Sequence, residues 1–228
     1  MPEDRFARTR TLIGDPGLEK LNNATVMVFG LGGVGGICAE ALARAGVGTL
    51  HIVDNDVVDI TNLNRQIVAV QDTVGRRKTD VMEERILSIG PEITVVKHDI
   101  FYLPENADEI DFSGLDYVVD AVDTVTAKLQ IASKAKAAGV PVISCMGTGN
   151  RMDPSKLVIT DISRTHTCGL AKAMRRGVRS WDIGELKVLF SEEVPVKADP
   201  PGSNPFVPPA AGLMIAGEVV REIIGKGG

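Results

Sequence analysis

Residues 24–30 (ATVMVFG) form an unbroken apolar run. A strand that is buried on both faces of a parallel sheet reads this way, whereas a half-exposed strand alternates. The run passes through LGGVGG into a helical pattern over 34–45, and a second apolar run follows at 49–54 (TLHIVD). Residues 75–88 carry the spacing of a charged amphipathic helix, and 93–98 read as a third strand. Two further buried strands are predicted at 115–121 (LDYVVDA) and 141–146 (PVISCM), separated by a helix over 125–138. Strand and helix in alternation predict an α/β architecture, an open, doubly wound, mostly parallel sheet whose ligands bind beyond the carboxyl ends of the strands. After Gly147 the pattern weakens. Strands are predicted at 157–162 and 186–191, a short basic helix at 170–179, a proline-rich loop at 195–209 and an apolar closing helix at 210–224. The 228 residues suit one domain, with a core over 1–150 and an elaborated C-terminal third over 151–228.

The first turn carries the first chemistry. Gly30, Gly32, Gly33 and Gly35 follow the first strand, where glycines let the backbone approach a phosphate that the next helix's free N–H groups can meet. Asp54 closes the second strand 24 positions after Gly30, placed to accept both ribose hydroxyls of a nucleotide. Alone, this Rossmann-like fingerprint says that an adenine nucleotide binds and favours a nicotinamide or flavin enzyme, with a tight turn that binds nothing as the plainer alternative. The residues that follow change the balance: Asp56, then Asn62, Arg65 and Gln66 in TNLNRQ, then Lys78 in GRRKTD. A dehydrogenase has no need of a guanidinium fork and a lysine at its phosphates. Displacement at an ATP α-phosphate does, because charge accumulates on the phosphoryl oxygens as pyrophosphate leaves. Asp123, in VVDAVDT, is expected on the same sheet edge, where a carboxylate can hold a magnesium ion bridging the phosphates.

Composition narrows the class further. The chain is 44% hydrophobic, 24% charged and only 4% aromatic, with a net charge of −5, which is ordinary globular usage and not that of a non-specific nucleic-acid binder. The cysteines, Cys38, Cys145 and Cys168, show no C-x-x-C spacing, so no zinc site is expected. The first ten residues, MPEDRFARTR, are charged and carry no export signal, and the uncharged stretch 200–217 holds five prolines and cannot be a membrane helix. A cytoplasmic protein is expected.

Taken as a set, the glycine turn, D-x-D, TNLNRQ, the lysine of GRRK and DAVDT resemble the adenylating enzymes that activate ubiquitin-like and sulfur-carrier proteins. The resemblance implies that Asp54 binds ribose, that Asn62, Arg65 and Lys78 handle phosphates, and that Asp123 binds magnesium. It also implies a homodimer in which an N-terminal arginine reaches the partner's ATP. Arg8 of RFAR is the candidate, with Arg5 and Arg10 close enough to be confused with it. Carrier-activating members usually bring two C-x-x-C pairs, which are missing here. The layout is similar instead to the branch of tRNA threonylcarbamoyladenosine dehydratases, through RFARTRTLIG, NLNRQIVAV, DAVDTVTAK, MGTGNRMDP and FVPPAAGLMIAGEVV. That branch implies ATP-dependent cyclisation of the threonylcarbamoyl group on the adenosine beside the anticodon. The alternative is an adenylyltransferase that activates a carrier's C-terminal Gly-Gly.

Residues 162–181 hold Arg164, Lys172, Arg175, Arg176 and Arg179 and no acid. In an acidic chain these cations are candidate tRNA contacts, and a solvated helix face is the simpler alternative. Cys168 lies beside them. Relatives are linked to cysteine desulfurases, which makes it a candidate sulfur acceptor, although an idle thiol is the plainer reading. Cys38 and Cys145 lie in apolar patterns and read as packing.

Overall fold

The computed structural model describes residues 4–225. Strands β1 (Thr25–Phe29), β2 (Thr49–Val53), β3 (Thr94–His98), β4 (Tyr117–Asp120), β5 (Val142–Cys145), β6 (Leu157–Asp161) and β7 (Lys187–Ser191) form one sheet in the order β3-β2-β1-β4-β5-β7-β6. Every pairing is parallel except β6 with β7. This is the doubly wound α/β sheet that the alternation predicts. Its order reverses between β1 and β4, and the crevice beyond their carboxyl ends is where such a sheet binds ligands.

Side chains of β1 point alternately to the two faces. Val26 and Val28 pack with Leu42 of α2 (Gly35–Ala45), Ile86 of α3 (Lys78–Ile89) and Val219 of α6 (Val207–Ile223). Met27 and Phe29 pack with Ile131 of α4 (Val125–Ala138) and with Tyr102 and Phe112. A third apolar cluster joins Leu129 to Met174 and Val178 of α5 (Gly169–Ser180) and to Phe190 of β7, so the C-terminal third extends the same sheet. Tyr117 Oη donates to Glu222 Oε2 at 2.6 Å and Lys187 pairs with Glu218 at 2.8 Å, fastening α6 across the sheet.

Three boundaries depart from the sequence expectation. A helix, α1 (Ala7–Asn23), precedes the first strand where none is predicted. Gly14 at φ 72° and Pro16 interrupt it, and so break the apolar periodicity that would have announced it. Helix α3 starts at Lys78 and not at 75, because Arg77 is extended and bridges to Val57. Helix α6 starts at Val207, inside the stretch expected to be loop. Its prolines fall in the first turn, where a missing N–H costs nothing. His51 and His98, on neighbouring strands β2 and β3, share a 3.1 Å contact between Nδ1 and Nε2, and burial holds both below the ordinary histidine pKa. Cys38 and Cys145 are buried as expected, and burial pushes the Cys145 thiol up to about 12.

Candidate active site

The β1–α2 turn approaches the β4 loop so closely that a side chain has no room. Gly30 sits at φ 86°, and a Cβ there would lie 2.8 Å from the Ala121 carbonyl oxygen. Gly35 faces the Gly30 carbonyl at 1.8 Å from where its Cβ would stand. Gly35 therefore serves close helix–strand packing, and its side of the turn lies behind the glycines that line the cavity. Gly30, Gly32 and Gly33 do line a cavity of about 870 Å³ at the carboxyl edge of the sheet.

Asp54, Asp56, Asn62, Arg65, Gln66, Lys78 and Asp123 line the same cavity, so residues separated by up to 69 positions converge as expected. The Asp54 carboxylate is fixed by two backbone donors, Leu31 N–H at 2.6 Å and Asp56 N–H at 2.8 Å. Lys78 starts α3 and is nearly buried, with Nζ 2.6 Å from Asp56 Oδ2. Arg65 uses Nη1 on Thr61 O (3.0 Å) and Asn64 Oδ1 (2.8 Å). Its Nη2 and Nε have no protein partner among the described residues, which leaves one edge of the guanidinium for a ligand. Asn62 is held through its Oδ1 by the Asp59 N–H at 3.1 Å. Gln66 is buried, and its Oε1 has no partner, an orphaned acceptor on the cavity wall. Asp123 is exposed beyond β4, and among the described residues its carboxylate is hydrogen-bonded only by Thr124 Oγ1 at 3.5 Å.

Sequence reasoning missed several members of this wall: Thr148 and Gly149 after β5, Phe101 and Tyr102 after β3, and Pro201, Gly202 and Ser203 before α6. The first four follow strand ends, where the parallel-sheet rule would have pointed. Beneath the Asp123 loop lies a second missed feature. Lys128 of α4 is fully buried and bonds Asp120 Oδ2 (2.9 Å), Val122 O (3.0 Å) and Cys145 O (2.8 Å), tying the ends of β4 and β5 together.

Arg8 is exposed on α1 and does not line this chain's cavity. Its neighbours are committed elsewhere: Arg5 pairs with Glu92 at 2.5 Å, and Arg10 with Asp4 and Asp15 at 2.8 and 2.6 Å. The Arg8 side chain has no ion-pair partner among the described residues.

On α5, Lys172, Arg176 and Arg179 are exposed at i, i+4 and i+7 and share one helix face. Arg175 departs from that group: it turns back to donate to Thr165 O at 2.8 Å, and it is not a free surface cation. Cys168 is buried at the N-cap of α5, its Sγ accepting the Ala171 N–H at 3.5 Å.

The family model for the ThiF family matches residues 6–228. The tRNA threonylcarbamoyladenosine dehydratase of Bacillus subtilis is 43% identical over 240 residues, covering 96% of this chain and 94% of that protein. The enzyme of the same name from Escherichia coli is 39% identical over 183 residues, 80% of this chain and 68% of its own length. The crystal structure of the E. coli dehydratase, TcdA, in complex with ATP superposes with a TM-score of 0.92 at 33% identity, covering 97% of this chain and 94% of that one. With this match across its length, the chain belongs to the ThiF family.

Proposed function

We propose that this chain is an ATP-dependent dehydratase that acts on threonylcarbamoyladenosine in tRNA, working as one domain over residues 1–228. The observation that carries the reading is the convergence of Arg65, Lys78 and Asp123 on a cavity floored by the glycine turn and Asp54. The similarity to dehydratases over nearly the whole chain supplies the substrate.

A threonyl carboxylate is a poor electrophile, because its leaving group would be oxide. In the proposed reaction one carboxylate oxygen attacks the α-phosphorus of ATP. The bond from that phosphorus to the bridging oxygen breaks, and pyrophosphate departs. Asp54 holds the ribose, while the free edge of Arg65 and the Lys78 ammonium meet the charge on the phosphates. The neighbouring carbamoyl group then attacks the acyl carbon. AMP leaves, the carbamoyl group loses a proton, and the net loss from the modified adenosine is one molecule of water. Tethering gives this nucleophile a large effective concentration, so no enzyme cysteine is required.

Asp123 suits magnesium as a single outer carboxylate. A magnesium ion bound with a nucleotide is held mainly by phosphates and water and asks the protein for one or two carboxylates. Bound there, magnesium would neutralise charge on the leaving phosphates.

The dimer belongs to the same proposal. Arg8, the uncommitted arginine of the N-terminal three, reaches the cavity of a second copy. Cys168 is assigned packing and capping, and the sulfur-acceptor reading has no support from its buried position. A cysteine desulfurase is therefore not part of the reading. No helix among the described residues is long and apolar enough to cross a membrane, and a cytoplasmic location follows from the tRNA substrate we assign. The carrier-protein alternative is disfavoured by the missing C-x-x-C pairs.

The decisive assay supplies ATP with tRNA that carries the threonylcarbamoyl group, the same tRNA without it, or a Gly-Gly-ended carrier protein. AMP and pyrophosphate are expected with the first only. Release with the carrier instead would transfer the chain to the alternative class.

The exposed face of α5 is proposed to hold the tRNA backbone. Each cation on a phosphate adds about 0.7–0.9 to the slope of log affinity against log salt. Replacing Arg176 and Arg179 by alanine is expected to flatten that slope by roughly one to two units and to leave ATP binding unchanged. An unaltered slope would reduce the helix to a solvated face.

A further inference from the structure

The segment between β7 and α6 contributes Pro201, Gly202 and Ser203 to the cavity wall. Two asparagines fasten it from different sides. Asn150, left-handed at φ 57°, holds the middle of the loop. Its N–H donates to Gly202 O at 2.9 Å, its Oδ1 accepts the Gly202 N–H at 2.5 Å, and its carbonyl accepts the Val196 N–H at 2.8 Å. Asn64 holds the inner end, with Nδ2 donating to Ser203 O at 3.0 Å.

Asn64 differs from Asn150 in what its other amide atom does. Its Oδ1 accepts from Arg65 Nη1 at 2.8 Å, so one planar amide bridges the phosphate-side guanidinium and the loop backbone. The two bonds engage both ends of the amide: the oxygen, an acceptor, faces the arginine, and the nitrogen, a donor, faces the carbonyl. Because Nη1 is taken, the guanidinium must offer Nη2 and Nε to an anion. A phosphate on that edge fixes the guanidinium plane, the fixed plane orders the Asn64 amide, and the amide orders Ser203.

We propose that Asn64 is a positioning residue that couples occupancy of Arg65 to the order of the loop at 195–206, so that nucleotide binding draws the loop down over the substrate side of the cavity. The proposal rests on reading the cavity as an ATP site. It gives the loop a chemical purpose, because an acyl-adenylate reached by water would hydrolyse before the ring closes.

Lys197 is the one basic residue in the loop, and it is exposed, so trypsin cleavage there reports release of the segment. Magnesium ATP at a concentration shown by calorimetry to saturate the wild-type protein is expected to slow cleavage at Lys197 by about threefold or more. Asn64→Asp keeps an acceptor for Arg65 but loses the donor to Ser203, and Asn64→Ala loses both. Both variants should bind ATP at saturation, melt within a degree or two of wild type, as expected for an exposed site, and show cleavage that ATP no longer slows. Asn150→Gly accepts the left-handed backbone but removes the amide. It should be cut faster than wild type while keeping the ATP response. Wild-type cleavage indifferent to bound ATP, or an undiminished response in Asn64→Asp, would overturn the coupling. Failure of the wild-type protein to bind ATP in the calorimeter is a separate result, and it would overturn the nucleotide assignment together with the coupling built on it.

Discussion

Replacing Asp123 by alanine is expected to lower turnover by a factor on the order of 10² or more, the scale of a lost electrostatic contact in the transition state, while the protein stays folded. The exposed carboxylate stands beyond the end of β4 and, among the described residues, is hydrogen-bonded only by the Thr124 hydroxyl at 3.5 Å. It contributes almost nothing to packing, so its loss has little to act on except the chemistry. If it holds magnesium over the phosphates, the deficit falls mainly on kcat, and raising the magnesium concentration recovers part of it. Steady-state rates with modified tRNA, alongside a thermal melt, separate the two effects. A folded variant with near-normal kcat would move the metal to another residue.

The largest stability effect is expected one turn away, at Lys128→Met. Lys128 and Asp120 are both essentially inaccessible, with their charged atoms 2.9 Å apart. Removing the ammonium leaves Asp120 buried with only the Ser144 hydroxyl and the Val122 N–H, and the carbonyls of Val122 and Cys145 lose their donor. Breaking a buried pair in this way costs about 3–5 kcal/mol, most of it the penalty of the charge left behind. For a domain of this size that corresponds to a drop in Tm on the order of 10 °C. The double variant Lys128→Met with Asp120→Leu should recover a large part of the loss, because no lone charge then remains. Urea midpoints of the single and double variants decide the matter. A single variant as stable as the wild type would mean that the buried pair contributes nothing net to the fold.

Legibility in the sequence followed physical locality. Strand β1 was readable because burial on both faces forces a nearly unbroken apolar run, and the glycine turn because only glycine fits 2.8 Å from the Ala121 carbonyl. Arg65 and Lys78 stood out as candidates because a dehydrogenase gives such cations no work at its phosphates, and Asp123 through its place after the fourth strand; all three line one cavity. Helix α1 was not, because Gly14 and Pro16 hide its period. The wall formed by Pro201, Gly202 and Ser203 was not readable either, since its position depends on hydrogen bonds to Asn64 and Asn150, more than 50 residues away along the chain for Gly202 and Ser203. Arg175 shows the same limit at smaller scale: its charge was visible, but the Thr165 carbonyl that claims it was not.

The contact between Lys78 and Asp56 has a bearing on selectivity. Lys78 is nearly enclosed while Asp56 is half open to solvent, so the lysine already has an anion of its own before any nucleotide arrives. An incoming phosphate must exchange with that carboxylate and cannot simply fill an empty positive socket. A weakly charged or singly bound anion gains little from the exchange, because it replaces one carboxylate contact by another of similar strength. A triphosphate gains more, since the same displacement also engages Arg65 and the glycine turn. On the ATP reading proposed above, the built-in carboxylate would act as a threshold on charge density, favouring a polyphosphate over the inorganic phosphate and small carboxylates that a bare lysine would also attract.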